Sequence, residues 1–379
     1  MRTGRVGLIV QISSNTTGMQ AGLFVTADKQ ARDHCVVVVK GTFQTCATGQ
    51  MTLAGEQRPL VAVDEHYGAP EASCVRHDCD FVLEKPSTDV VVVGKAVAPG
   101  GHPVAQLTVR LQVQDRTKSA LVFGERRWVR AIGGWTATDP VPFTEMPLTF
   151  DRAFGGHDDS RGPGHMSVEQ RNLAGVGYHP HRANKAIDGA PLPNVERAGQ
   201  VIGSPRDRPE PVGFGCLGRT WQDRVKYAGT YDQRWLDEIY PYLPEDFDSR
   251  YFQSAPEDQR FDHFVGGEVL RCVHMANEPW VTFVIPKVDL AVRFGFIDRV
   301  EERAGVLDTV TLEPHVGLAT LVWRASVPLG KKLNALQDIR VGPRSVDVDG
   351  AVGRRDGKPV FSGLDAALRW HRQLRGEPR

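Results

Sequence analysis

VAQLTVRLQVQ, residues 104–114, alternates almost without fault. Ala105, Leu107, Val109, Leu111 and Val113 fall on one side, and Gln106, Thr108, Arg110, Gln112 and Gln114 on the other. A period of two places successive side chains on opposite faces of a pleated strand. The stretch therefore reads as a half-buried strand of an antiparallel sheet, apolar inward and wet outward. Upstream, CVVVVKGTF (35–43) and DVVVVGKAVA (89–98) are continuous β-branched runs bounded by turn residues, the pattern of strands covered on both faces. Downstream, WVTFVIP, VDLAVRFGF and GLATLVWRASV, within 280–327, read as meandering strands of a second sheet.

Between these blocks the composition changes. Residues 138–211 are rich in Gly, Pro, Arg and Asn, with GGHDDSRGPGHM (155–166) the most loop-like part. Gly supplies positive backbone angles and Pro removes ladder donors, so this segment is not continuous sheet. A connection this long inside a compact domain needs a function or its own packing anchors, and Phe143, Met146, Leu148, Phe150 and Phe154 are the candidates. The expected fold is mainly β: two antiparallel β-sandwich or barrel-like units, 1–137 and 212–345, joined by the Gly/Pro-rich segment 138–211, with a tail at 346–379. Helices are few. Asp232 can cap a short one with Trp235, Leu236, Ile239 and Tyr240 on its apolar face, stopped by Pro241. A second is expected over 362–375, where Ser362 and Asp365 form a capping box.

A chain of 379 residues with 41% apolar composition can bury a large core. Lys plus Arg and Asp plus Glu are both 46, so no net field favours nucleic acid or an anionic membrane. No run of 18 apolar residues occurs, and no spanning helix is expected. Near the start, Val6 to Ile12 is apolar but interrupted by Gly7 and Gln11, with no small-residue cleavage pattern after it; it reads as a strand and not a signal peptide. Six Cys without a CxxC pair suit reduced thiols in a cytoplasm.

Chemistry concentrates in AGTYDQRWLDEIYPYLPEDFDSRYFQSAPEDQR, residues 228–260, dense in carboxylates and aromatic rings. Glu238, Glu245, Asp246 and Asp248 offer a carboxylate pair for acid/base work; the plainer reading is a solvated acidic turn. His157, His165, His179 and His181 crowd one region without HExxH spacing, there is no GxSxG, and GVGYH (175–179) is a lone Gly-x-Gly. No catalytic residue, metal ligand or cofactor is assigned.

The ordered blocks VVVVKGTF, KPSTDVVVVGKAVAPGGHP, VFGERRW, PFTEMPLTFDRAFGG, LPNVE, PVGFGCLGRTWQDRVKYAGTYDQRW, LPEDFDSRYFQSAPEDQR and GGEVLR resemble the DUF2169 family, encoded beside type VI secretion spike, PAAR-tip and toxin genes. The resemblance runs from about residue 20 to residue 345. It departs at Asn172-Leu173-Ala174-Gly175, where Asn-Pro is expected, and at Phe252-Gln253-Ser254, where Phe-Asn is expected. It implies a cytoplasmic adaptor or chaperone that binds a secreted effector toxin and loads it onto the spike and PAAR tip; from the balanced charge and the missing motifs, no catalysis and no nucleic-acid or membrane partner is expected. The residues expected to bind the partner are Tyr231, Asp232, Trp235, Tyr240, Tyr242, Asp246 and Asp248, with rings as anchors and carboxylates setting register. Two other readings are a carboxylate-dependent hydrolase of cell-wall glycan or peptide and a carbohydrate-binding β-sandwich.

Overall fold

The computed structural model describes residues 10–70, 73–162, 164–180, 187–330, 335–344, 351–355 and 358–361. The helix expected at 362–375 and most of the strand expected at Val6 to Ile12 lie outside them. In chain order the principal strands are β1 (Ile12–Asn15), β2 (Gln20–Ala27), β3 (Asp33–Thr45), β4 (Met51–Leu53), β5 (Thr88–Val92), β6 (Gln106–Val113), β7 (Arg116–Phe123), β8 (Val195–Arg197), β9 (Arg260–Phe261), β10 (Val269–Val273), β11 (Trp280–Val284), β12 (Leu290–Phe296), β13 (Val300–Ala304), β14 (Val306–Glu313), β15 (Leu318–Pro328) and β16 (Leu336–Pro343). The protein is mainly β with a few short helices, as expected.

The largest sheet has seven strands, in the order β9-β5-β14-β15-β3-β2 with β4 added on β3. A five-stranded sheet runs β8-β7-β6-β10-β11, and a four-stranded one β1-β16-β12-β13. None of these closes into a barrel. The boundaries 1–137 and 212–345 do not separate the sheets, because the two largest each draw strands from both segments. The downstream meander is also corrected: β11, β12 and β15, consecutive apolar runs in the sequence, sit in three different sheets. Alternation tells which face of a strand is buried, but the neighbour is chosen by the long-range match of apolar faces. Most pairings are antiparallel, with β14–β5 and β1–β16 parallel.

β6 keeps its alternation, burying Val109, Leu111 and Val113 while Arg110 and Gln112 face water. β3 is buried on both faces from Cys35 to Phe43, as its continuous β-branched run implied. Cys35, Val37, Val39 and Phe43 point into the main core, where they meet Leu111, Leu270, Phe283, Leu312, Leu321 and residues of the four-stranded sheet such as Phe294 and Ile339. The opposite face of β3 puts Val36 and Val38 against Val322, with Phe24, Leu60, Phe81 and Leu83 beside them. Farther along that face the cover becomes ionic. Lys40 reaches Asp80 at 2.9 Å, Arg324 pairs with Asp308, and Lys85 reaches Asp89 at 2.9 Å and Asp78 at 4.0 Å, all buried among strands and the loops over them.

The Gly/Pro-rich segment packs through the expected anchors, divided among three clusters. Phe143, Met146 and Leu148 enter the main core. Phe150 joins Cys74, Leu217 and Trp221, and Phe154 joins Trp128, Ile187, Leu192 and Ile202 in a core of its own. Asn172, fully buried, holds two of these together: its Nδ2 donates to the carbonyls of Phe150 (2.8 Å) and Phe154 (3.0 Å). The Asn amide at the departure from the family pattern is thus a structural tie.

His77 lies beside the ionic layer, and burial together with nearby Lys40, Arg76 and Arg58 lowers its pKa to about 4. The folded state keeps the ring neutral while the unfolded chain takes up a proton near its ordinary value of 6.5. Stability from this residue is therefore complete above about pH 6.5 and is lost as pH falls towards 4, a total of up to about 3 kcal/mol. Urea titrations across that window should show His77→Gln losing less stability on acidification than the wild type; parallel acid profiles would refute the assignment.

Candidate functional site

The acidic aromatic stretch is built outward from a buried base. Trp221 packs edge to face on Phe150 at 5.2 Å between centroids. The short helix Gln222–Val225 then buries Arg224 completely. Arg224 Nη1 donates to Asp78 (3.1 Å) and to the Leu217 carbonyl (3.0 Å), and its Nε to the Tyr251 carbonyl (3.0 Å). One guanidinium therefore ties the outgoing chain to the returning one. A second closure follows at Gly229, where φ is +81° and a Cβ would stand 2.9 Å from both Asp246 Oδ1 and Pro244 Cβ. Only glycine lets the two chain segments approach so closely that Asp246 accepts from Thr230 N (2.9 Å) and Thr230 Oγ1 (2.8 Å).

Between these closures, residues 231–245 form a surface lobe. Asp232 Oδ1 accepts from Trp235 N at 2.9 Å, the expected cap, but the helix it opens is a single wide turn, Trp235–Ile239. Its apolar face is not buried: Leu236 is 54% exposed and Tyr240 65%. Trp235, half-buried, is the pivot. Its ring meets Tyr231 at 4.8 Å and Tyr240 at 5.5 Å, both edge to face, and its Nε1 donates to the Tyr242 carbonyl at 2.9 Å. Tyr231 is 54% exposed. The Tyr242 ring is half-buried, and Phe247 is core, against Tyr251 and Phe252. The structure thus brings Tyr231, Trp235 and Tyr240 into one ring cluster, while Tyr242 joins it through its backbone.

The carboxylates are committed to local hydrogen bonds. Those from Thr230 hold Asp246 below the usual carboxylate pKa. Asp248 is held low chiefly by the Arg250 side chain, and it also caps the turn Ser249–Phe252 through Arg250 N at 2.9 Å. Neither has the raised pKa by which a general acid keeps its proton near neutrality. Glu238 and Glu245 flank Arg234 at 3.2 and 3.4 Å on the open surface, where such pairs contribute about 0–1 kcal/mol. Beside the lobe, a cleft of about 380 Å³ separates Leu243, Phe247 and Phe252 from the turn that carries Asp28, Arg32 and His34.

Other reactive groups are placed as follows. His157 and His165 are exposed, His179 is buried, and His181 lies outside the described residues; among the described residues no three His, Cys, Asp or Glu side chains converge as a metal needs. Burial pushes the Cys35, Cys74 and Cys216 thiols up to about 12, which suits packing and not nucleophilic attack. Sequence reading missed Lys118, whose Nζ donates to Asp258 Oδ1 (2.8 Å) and Gln259 Oε1 (2.7 Å) at the wall of a cleft of about 440 Å³. Burial lowers its pKa to about 8 against the pull of Asp258. The only signal was a Lys on the buried face of an alternating strand.

The residues that make the buried base and the lobe fall within one family model, described as an uncharacterized protein conserved in bacteria (DUF2169), which matches residues 30–324. The chain belongs to the DUF2169 family. No curated protein and no solved structure matches it. The DUF2169 match takes in Asn172, Trp221, Arg224, Gly229 and Asp246, the groups that tie down the loops, together with the exposed rings of the lobe. No helix among the described residues is long and apolar enough to cross a membrane.

Proposed function

We propose that this protein is a cytoplasmic adaptor or chaperone that holds a secreted effector toxin through the lobe at 231–245 and presents it to a type VI spike and PAAR tip. The observation that carries this reading is the ring cluster of Tyr231, Trp235 and Tyr240, mounted on a buried arginine clamp and facing solvent with Leu236. A folded chain gains nothing by leaving these apolar surfaces in water, whereas a partner that buries them gains large area from side chains with few rotors. Four lobe carboxylates, Asp232, Asp237, Glu238 and Glu245, stand against one cation, Arg234, and would repel acidic competitors. The order of sequence blocks shared with proteins encoded beside spike and toxin genes supplies the biological context.

The test is co-expression and pull-down with the toxin encoded beside this gene. Tyr231→Ala and Tyr240→Ala should each weaken the complex by about 1–4 kcal/mol as central anchors do. The melting temperature of the free protein should hardly change, since both rings are already exposed. Failure to form any complex, or normal toxin export from a strain lacking the protein, would defeat the proposal. So would hydrolysis of peptidoglycan fragments that Asp246→Asn or Asp248→Asn abolishes.

A further inference from the structure

The five-stranded sheet has an uncovered face on the side opposite its core. Pairing registers put Ser119, Arg110, Val273 and Trp280 in one row across four strands, and Thr117, Gln112, Arg271 and Thr282 in the next. Arg110 and Arg271 are diagonal neighbours, a relation that puts such residues about 7–8 Å apart in a sheet. Trp280 is 58% exposed on the edge strand β11. Arg110, Gln112, Thr117, Arg271, Val273 and Trp280 line a shallow depression of about 270 Å³. No carboxylate lines it, and neither guanidinium has an ion-pair or hydrogen-bond partner among the described residues. Of the acids nearest in sequence, Asp115 and Glu278 lie in the turns that lead into β7 and β11, and Glu268, just before β10, accepts from Val265 N and Gly266 N, both at 2.9 Å.

Two unpaired guanidiniums on adjacent strands repel each other, and an exposed indole adds apolar surface left in water. Both liabilities are removed by one kind of occupant. We infer that this face binds an acidic segment of a partner protein, its carboxylates taken by the Arg110 and Arg271 forks and an aromatic or proline ring laid on Trp280. Guanidinium matches carboxylate in a bidentate geometry, and Trp and Arg are the residues that most often anchor protein interfaces. Nucleic acid fits poorly, because its binding needs many phosphate contacts and the chain has no net positive charge. The face is distinct from the acidic lobe and opposite to it in charge, so it would select a different part of a partner.

The experiment is fluorescence anisotropy of the full-length protein with a labelled peptide of alternating Glu and Tyr, against a Lys and Tyr peptide of the same length. The acidic peptide should bind, and more weakly as salt is raised. Arg110→Ala with Arg271→Ala, and separately Trp280→Ala, should weaken binding roughly tenfold or more, with unchanged melting temperature. Charge reversal, Arg110→Glu with Arg271→Glu, should transfer binding to the basic peptide. Absence of acidic-peptide binding by the folded wild type, or binding that all these variants retain, would overturn the inference. Tighter binding of an oligogalacturonate than of the peptide would overturn the choice of a protein partner, and self-association lost in the same variants would identify a second copy of the chain instead.

Discussion

Replacing Lys85 with Met should cost about 3–5 kcal/mol of folding stability, because it strands buried carboxylates. Lys85 Nζ lies 2.9 Å from Asp89 Oδ2 and 4.0 Å from Asp78 Oδ2, with its side chain only 3% exposed. Burial disfavours its charge, yet the two carboxylates outweigh that and raise its pKa above the ordinary lysine value. Asp89 is fully buried and also accepts the Ser254 N–H at 2.8 Å, which joins β5 to the segment that returns from the lobe. Without the ammonium, Asp89 must either hold an uncompensated charge or take up a proton. Adding Asp89→Asn to Lys85→Met should recover part of the loss, since a neutral amide can still accept from Ser254. Urea unfolding followed by circular dichroism measures both. A loss below about 1 kcal/mol for the single variant would mean that the layer is wetter than its burial indicates.

Trp128→Ala should be as damaging, about 3–5 kcal/mol, by emptying the centre of the small core. Trp128 is 1% exposed and packs with Phe154, Ile187, Leu192 and Ile202. Phe154, Ile187, Leu192 and Ile202 all come from the Gly/Pro-rich segment, which has few ladder hydrogen bonds of its own. The indole is what the segment closes upon, so the cavity should loosen the segment first. Limited proteolysis should then cut between 155 and 205 at lower protease concentration than in the wild type. Intact resistance with unchanged stability would show that ladder and turn hydrogen bonds alone hold the segment.

Much of this molecule was legible in local pattern. The alternation of β6 and the β-branched runs of β3 and β5 set their burial correctly. The anchors of the loop-rich segment were visible as large apolar residues in a run of Gly and Pro. Asp232 was identifiable as a cap from its position before Trp235. The exposure of Tyr231 and Tyr240 was only half visible, since an apolar stripe at helical spacing usually signals a buried face. Here the chain permits one wide turn before Pro241, too short to lay that stripe on a core.

What the sequence determined by itself is the mainly β class, the buried faces of β6, β3 and β5, and family membership, because side-chain periodicity and ordered motifs are local properties of the chain. What the tertiary structure alone decided is which strands are neighbours, that Lys40, Lys85, Arg224 and Arg324 are buried with carboxylate partners, and that Arg110, Arg271 and Trp280 share one open face. The strand order and the shared open face depend on registers between residues more than a hundred positions apart, such as Arg110 with Val273 and Asp89 with Thr309. A charged residue reads as solvent-facing until the fold covers it; its partner can be close in sequence, as Asp89 is to Lys85, but the burial of both is decided by what packs over them.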